Sequence, residues 1–126
     1  MIAVDTSSWI AFLSGATGAD VVLVEQALAD RQVAMPPVVL TELLSNSKLP
    51  APVSRLIAQV PMLDVLDGYW ERAGVLRAKV LRLKRRAPLA DALIAQSCVD
   101  HEVALVTRDG DFRTFARVGG LRLLSE

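Results

Sequence analysis

The sequence contains little of what many common functional sites require. It has one cysteine, Cys98, and one histidine, His101, among 126 residues. A single cysteine excludes both a disulfide framework within the chain and a zinc site built on cysteines. A single histidine excludes histidine-rich metal sites and argues against a serine–histidine–aspartate triad. A metal site in this chain is therefore expected to use oxygen ligands.

The chain also lacks an excess charge and a long apolar run. Its 14 basic and 14 acidic residues give a formal net charge of zero, so only the distribution of charge can indicate a nucleic-acid partner. No uncharged apolar stretch is long enough to cross a bilayer. Asp5 comes too early for the apolar core of a signal peptide. We therefore expect a cytoplasmic protein that does not interact with a membrane.

Composition and patterning indicate one α/β domain spanning residues 1–126. Hydrophobic residues make up 52% of the chain, which argues against disorder and leaves apolar surface for a partner or a second copy. Apolar segments alternate with helical ones, which predicts a parallel sheet of about five strands with right-handed crossovers. The predicted strands are 2–4, 33–35, 62–66, 103–107 and 121–124, and the predicted helices are 9–13, 21–29, 38–45, 53–59, 69–83 and 88–100, with a short one after 112.

Asp91 is the acidic residue that a surface position explains least well. Ile94, Ala95 and Cys98 follow it at three, four and seven residues, so it shares a helix face with apolar side chains. A charge there is costly unless it is paired or binds a cation. The alternative is a buried ion pair with an arginine, which we consider weaker because Ala90 and Ala92 leave room beside the carboxylate.

Other carboxylates follow predicted strands, at the edge where open α/β folds bind ligands. Asp5 ends the first strand, although it could also cap the next helix, a role that Ser7 or Ser8 could fill instead. Asp109 and Asp111 follow the strand at 103–107, where a turn is the competing explanation. We favour Asp109 as the ligand and Asp111 as a supporting group or helix cap. Glu42, in the helix after the second strand, is equally compatible with a site and with a solvated surface.

Carboxylates gathered at one edge repel one another. Two such charges about 4 Å apart interact by about 4 kcal/mol at an effective dielectric constant of about 20. A divalent cation relieves this repulsion, and oxygen ligands favour Mg²⁺ or Mn²⁺ over zinc. Such an ion activates water and stabilises the charge that develops when a phosphodiester is cleaved.

A basic segment precedes Asp91 and is a candidate binding surface for nucleic acid. The alternative for any one of its residues is a solvated helix face with a charged C-terminus. We expect the residues closest to Asp91 to contact substrate: Arg82, Lys84, Arg85 and Arg86. The segment also contains Arg72, Arg77 and Lys79.

Together these motifs resemble the PIN-domain ribonucleases. The matching stretches are Val-Asp-Thr-Ser at 4–7 with Trp9-Ile10, Glu42, Leu-Ala-Asp-Ala-Leu-Ile-Ala at 89–95 and Leu-Val-Thr-Arg-Asp-Gly-Asp-Phe at 105–112. The small size is similar to that of the VapC-type toxins of bacterial toxin–antitoxin pairs. The likeness covers nearly the whole chain.

This resemblance implies a three-layer fold with a five-stranded parallel sheet, RNA cleavage with Mg²⁺ or Mn²⁺, a homodimer, and an antitoxin that obstructs the acidic site. By motif, the acidic quartet is Asp5, Glu42, Asp91 and Asp109, with Asp5, Asp91 and Asp109 as the expected direct metal ligands. Asp111 matches a further acidic position. Thr6, Ser7 and Thr107 match polar residues that support the ligands by hydrogen bonds.

Two other functions remain open from the sequence. A module that binds RNA or protein without cutting it is disfavoured by the intact quartet. An aspartate-based phosphotransferase of the haloacid-dehalogenase type needs an aspartate where Ser7 stands, and a receiver-type phosphoacceptor needs an early acidic pair that is missing.

Overall fold

The computed structural model describes residues 1–124 of the chain. Its strands are β1 (Ile2–Val4), β2 (Val33–Ala34) and β3 (Ala104–Val106). Its helices are α1 (Thr6–Leu13), α2 (Ala19–Ala29), α3 (Pro37–Leu44), α4 (Ala51–Ala58), α5 (Tyr69–Arg82), α6 (Leu89–Asp100) and α7 (Phe112–Gly119). The alternation of strands with helices confirms the α/β prediction.

The central strand of the sheet is β1, which pairs in parallel with β2 on one side and β3 on the other. Val4 is in register with Val106, and the Asp5 N–H donates to the Val106 carbonyl at 2.8 Å. The ends of β1 and β3 therefore lie side by side. The segments that follow them, beginning at Asp5 and Thr107, share one edge of the sheet.

The prediction of five strands was wrong, because within residues 1–124 the two segments predicted as outer strands do not form strands. The segments 62–66 and 121–124 each contribute a single parallel bridge, Met35 with Met62 and Leu105 with Leu123. Strand β2 ends before Pro36, which has no N–H to donate, and α3 begins at Pro37, so nothing remains for residues 64–66 to pair with. The bridge on the other edge consists of the bonds from the Leu105 N–H to the Arg122 carbonyl and from the Leu124 N–H to the Leu105 carbonyl.

Apolar residues of the sheet and the helices form one core. Val4, Leu105 and Val106 of the strands are fully buried, as are Trp9 of α1 and Phe115 of α7. Strands buried on both faces explain why their sequences are continuously apolar rather than alternating. Within the described residues, no helix combines the length and apolar character needed to span a bilayer.

Two helix caps differ from the predictions. Asp5, not Ser7 or Ser8, is the N-cap of α1, and its carboxylate accepts from the Ser7 N–H. Asp20, predicted to cap the second helix, instead lies inside its first turn, because α2 already begins at Ala19 after Gly18. The side chain of Asp20 is thereby free to bind elsewhere.

Candidate metal centre

Three carboxylates converge beside the shared edge of the sheet. One oxygen each from Asp91, Asp109 and Asp111 lies within 4.8 Å of the other two. Asp91 is in the first turn of α6, which begins just after Pro88. Asp109 and Asp111 belong to the loop between β3 and α7, where the Asp111 N–H donates to Oδ1 of Asp109 at 2.9 Å. That bond fixes the loop with its acidic side chains close together.

Asp91 has a buried carboxylate oxygen that no other described residue satisfies. Its Oδ2 atom is buried and has no hydrogen-bond partner, and no arginine or lysine pairs with it within residues 1–124. Burial is the largest cause that raises the pKa of Asp91, and together with the negative charges of its acidic neighbours it brings the pKa to about 7. These neighbours are Asp109, Asp5, Asp111 and Glu42. The alternative of a buried ion pair is therefore wrong for the described chain.

Asp5 is buried next to this group, with only 4% of its surface exposed. Its Oδ2 accepts hydrogen bonds from Ser7 Oγ at 2.7 Å and from Thr107 Oγ1 at 2.9 Å. Burial raises the pKa of Asp5, and these hydrogen bonds partly offset the increase because they favour the carboxylate. Asp5 is thus both the cap of α1 and a carboxylate of the acidic edge, so the two explanations for it do not compete.

Glu42 extends from α3 toward the same edge but remains exposed. Its Oε1 accepts a hydrogen bond from Thr6 Oγ1 at 2.6 Å. The charge of Glu42 contributes to the raised pKa of Asp91. Neither Glu42 nor Asp5 belongs to the group of oxygens within 4.8 Å, which contains Asp111 instead. Of the predicted quartet, the structure therefore brings Asp91 and Asp109 together with Asp111, while Asp5 and Glu42 lie near this group without belonging to it.

The hydroxyl residues named from the resemblance link the carboxylates to one another. Thr107 Oγ1 accepts from the Asp109 N–H at 3.0 Å while it donates to Asp5. Ser7 Oγ lies 3.4 Å from Thr107 Oγ1. Thr6 orients Glu42. These bonds give the acidic side chains a defined arrangement even though their charges repel.

The basic segment divides into residues that stabilise the fold and residues that face solvent. Arg72 donates from Nε and Nη2 to both carboxylate oxygens of Asp100, and Arg77 donates from Nε to the Ala87 carbonyl. The residues predicted to contact substrate are exposed: Arg82, Lys84, Arg85 and Arg86. Arg86 also reaches the acidic group, with its Nε 3.6 Å from Oδ2 of Asp111.

The ion pair between Arg108 and Asp20 was not predicted from the sequence. Arg108 Nε donates to Oδ2 of Asp20 at 2.8 Å and Nη2 donates to Oδ1 at 2.9 Å. Ser8 Oγ donates to the same Oδ2 at 2.8 Å. These bonds, above all those from Arg108, lower the pKa of Asp20 to about 2. A basic residue directly before Asp109 was the signal that could have suggested this anchor for the loop.

The chemistry of the donors fits a divalent cation. The group offers only carboxylate oxygens, which are the ligands that Mg²⁺ and Mn²⁺ prefer. One oxygen of Asp91 has no hydrogen-bond partner among residues 1–124. The residues that could hold the ion are Asp91, Asp109 and Asp111, with Asp5 beside them.

The sequence pattern that defines the PIN domain matches residues 2–118 of this chain. The chain belongs to the PIN-domain family. It is 30% identical over 135 residues to a VapC ribonuclease of Mycobacterium bovis, Mb1587, and to Ribonuclease VapC11 of Mycobacterium tuberculosis. Each alignment covers 99% of this chain and 98% of the relative.

Solved structures of VapBC complexes contain a chain with the same fold as this protein. The VapBC2 complex of Rickettsia felis, bound to a DNA fragment from its promoter, contains a chain that aligns with a TM-score of 0.75 at 20% identity, over 98% of both chains. VapBC-1 from nontypeable Haemophilus influenzae gives 0.72 at 18% identity, over 99% of this chain and 98% of that one. At these identities the likeness concerns the fold alone.

Proposed function

We propose that this PIN-domain chain is a metal-dependent endoribonuclease that acts as the toxin of a type II toxin–antitoxin system, with Mg²⁺ or Mn²⁺ as its cofactor. The observation that carries the proposal is the buried, unpartnered Oδ2 of Asp91 within a group of three carboxylates. The VapC ribonucleases aligned over nearly the full length of the chain support the same activity. We propose that it acts in the cytoplasm, where it would meet RNA.

We assign each residue of the site a role. Asp91, Asp109 and Asp5 would hold the cation, and Asp111 would complete or support its ligand set. When bound, the ion supplies Lewis-acid stabilisation of the reacting phosphate and lowers the pKa of water. Glu42, held by Thr6 at the exposed side of the site, orients water or takes up its proton. Arg82, Lys84, Arg85 and Arg86 attract the RNA backbone.

The test is cleavage of a structured RNA by the purified protein with Mg²⁺, with Mn²⁺ and with a chelator. Asp91→Asn should lose cleavage while it remains folded. Asp30→Asn is the matched control, since Asp30 is exposed at the end of α2 and away from the acidic edge. Full activity in Asp91→Asn, or activity that persists in the chelator, would overturn the proposal.

The alternatives give different results in the same assay. A binding module that does not cut would retain RNA without metal-dependent products. An aspartate-based phosphotransferase would incorporate phosphate from a small phosphodonor such as acetyl phosphate. Either result would replace the nuclease proposal.

We propose an antitoxin as the protein partner. An open apolar groove of about 310 Å³ lies between α1 and the segment from α3 to α4, and Glu42 forms part of its wall. Its apolar lining consists of Ile10, Leu13, Leu43, Leu49, Pro50 and Val53. A peptide seated there would reach the acidic edge. Expression should arrest growth, and either Asp5→Asn or co-expression of an adjacent antitoxin gene should relieve the arrest.

We also propose a homodimer. Trp70 and Leu89 are each 61% exposed, and large apolar side chains at the surface often mark a protein interface. Light scattering coupled to gel filtration would test this proposal, because a monomeric mass at micromolar concentration would contradict it.

A further inference from the structure

A second cavity adjoins the metal centre on the side of Asp109. It has a volume of about 210 Å³ and is open to solvent. Asp109 belongs both to its wall and to the carboxylate group. A ligand in this cavity would therefore be a neighbour of anything bound at the metal. The polar residues around it are Asp20, Thr107, Arg108, Asp109 and Arg113.

Arg113 projects over the loop that carries two of the acidic residues. It lies in the first turn of α7, and its Nη1 is 3.9 Å from the point that a Cβ on Gly110 would occupy. Gly110 separates Asp109 from Asp111. The guanidinium therefore lies within reach of a ligand that bridges the cavity and the metal centre.

The two arginines of the cavity differ in what they bind. Arg108 is anchored by Asp20 and also donates from Nη2 to the Thr17 carbonyl at 3.1 Å. The side chain of Arg113 makes no ion pair and no hydrogen bond to any residue in 1–124. Its donors are available for a ligand from outside the chain.

The charged side chains of the cavity leave one arginine available for an anion. Arg108 is held by Asp20, and a divalent cation at the carboxylate group would offset part of the negative charge that Asp109 brings to the cavity wall. No ion pair within residues 1–124 involves the Arg113 guanidinium. A guanidinium presents a planar set of donors that suits phosphate oxygens.

We propose that Arg113 and the cavity beside Asp109 bind an RNA phosphate that neighbours the cleaved one. This inference rests on the proposed nuclease function and names a further contact of the same site. Arg86 meets the carboxylate group at Asp111, whereas the Arg113 cavity adjoins it at Asp109. The RNA backbone would thus meet one arginine beside Asp111 and a second beside Asp109.

The test measures the binding of a short fluorescent single-stranded RNA in the Glu42→Gln background, with Mg²⁺ present and over a range of salt concentrations. This background keeps the carboxylates proposed to hold the ion and slows cleavage. Arg113→Gln should weaken binding about three- to tenfold and reduce the slope of log K against log salt by about 0.7, the value for one phosphate contact on a single strand. Arg113→Lys should recover part of the affinity, because it retains the charge but loses the planar donors.

Arg117→Gln is the matched control. Arg117 is also exposed on α7 but does not line the cavity, so it represents the general effect of losing one positive charge. Equal affinity and salt slope in Arg113→Gln and Arg117→Gln would overturn the inference, as would the absence of RNA binding by the parent protein that lacks both substitutions.

Cleavage is measured separately, in the chain that carries only the arginine substitution. A protein that cleaves RNA equally well with Arg113→Gln and with Arg117→Gln at subsaturating substrate refutes this contact and leaves the nuclease function intact.

Discussion

Thr107 donates a hydrogen bond from its Oγ1 to Oδ2 of Asp5 at 2.9 Å, across 102 residues of sequence. The same hydroxyl oxygen accepts from the Asp109 N–H at 3.0 Å. One side chain therefore joins the end of β1 to the loop after β3 and connects two of the carboxylates assigned to the metal. The register of the parallel strands, with Val4 opposite Val106, makes this link available.

We predict that Thr107→Val weakens Mg²⁺ binding about 10- to 100-fold, which is the usual cost of losing a hydrogen bond that supports a metal ligand. Valine keeps the shape of threonine but removes the hydroxyl, so the pKa of Asp5 rises further and the Asp109 N–H loses its acceptor. Isothermal titration calorimetry measures the change.

Thr114→Val is the control for this substitution, because the Thr114 side chain has no hydrogen bond within the described residues. Unchanged Mg²⁺ affinity in Thr107→Val would show that the link between Asp5 and Asp109 does not support the metal site.

The raised pKa of Asp91 predicts an unusual dependence of stability on pH. Its folded-state pKa is about 7, against a model value of 3.8, so the folded metal-free protein binds more protons than the unfolded chain between these values. The contribution of Asp91 to stability is therefore present below about pH 4 and is lost as the pH rises to about 7. Asp91→Asn should remove this loss and raise the metal-free Tm at about pH 8 by a few degrees.

Mg²⁺ should stabilise the folded protein more strongly as the pH rises, since the ion binds the deprotonated carboxylate of Asp91. The increase in Tm on adding Mg²⁺ should grow as the pH rises through 7, and it should be much smaller in Asp91→Asn. Differential scanning calorimetry at several pH values tests both statements. A Mg²⁺ effect of equal size in the variant would remove Asp91 from the ligand set.

The lowered pKa of Asp20 predicts that the free energy of unfolding depends on pH in the opposite direction in the acid range. The hydrogen bonds from Arg108 are the largest cause of its lowered pKa, about 2 against a model value of 3.8. The folded state therefore binds fewer protons than the unfolded state, and the contribution to stability is present above about pH 4 and lost as the pH falls toward 2. Urea unfolding of Asp20→Asn should show a shallower loss of stability over that interval, with Asp30→Asn unchanged. Parallel curves for the wild type and Asp20→Asn would contradict the assignment.

The carboxylates assigned to the site could be selected from the sequence because their signals are local. Asp5 directly follows the apolar strand β1, Asp109 comes three residues after the end of β3, and Asp91 lies on an apolar helix face, so each could be identified from its neighbours alone. Their convergence then required only that the strands be parallel, which the alternation of strands and helices predicts.

The remaining features depend on distant contacts that no local pattern encodes. The pairing of Arg108 with Asp20 joins residues 88 positions apart. The lengths of the outer strands depend on where their partner strands end, and β2 is too short to pair with residues 64–66. The proximity of Asp111 to Asp91 depends on the conformation of the loop around Gly110.

Glu42 provides a prediction that separates metal binding from catalysis. Its carboxylate is exposed and accepts from Thr6 Oγ1, whereas Asp5 is buried next to the three grouped carboxylates. Glu42→Gln should therefore change Mg²⁺ affinity by less than about threefold and lower kcat about 100-fold, as expected for the loss of a general base. Calorimetry measures the first quantity and single-turnover cleavage the second. Glu25→Gln, an exposed residue of α2, should alter neither. A loss of Mg²⁺ affinity as large as that of Asp91→Asn would instead identify Glu42 as a metal ligand, because its charge would then be needed to hold the ion.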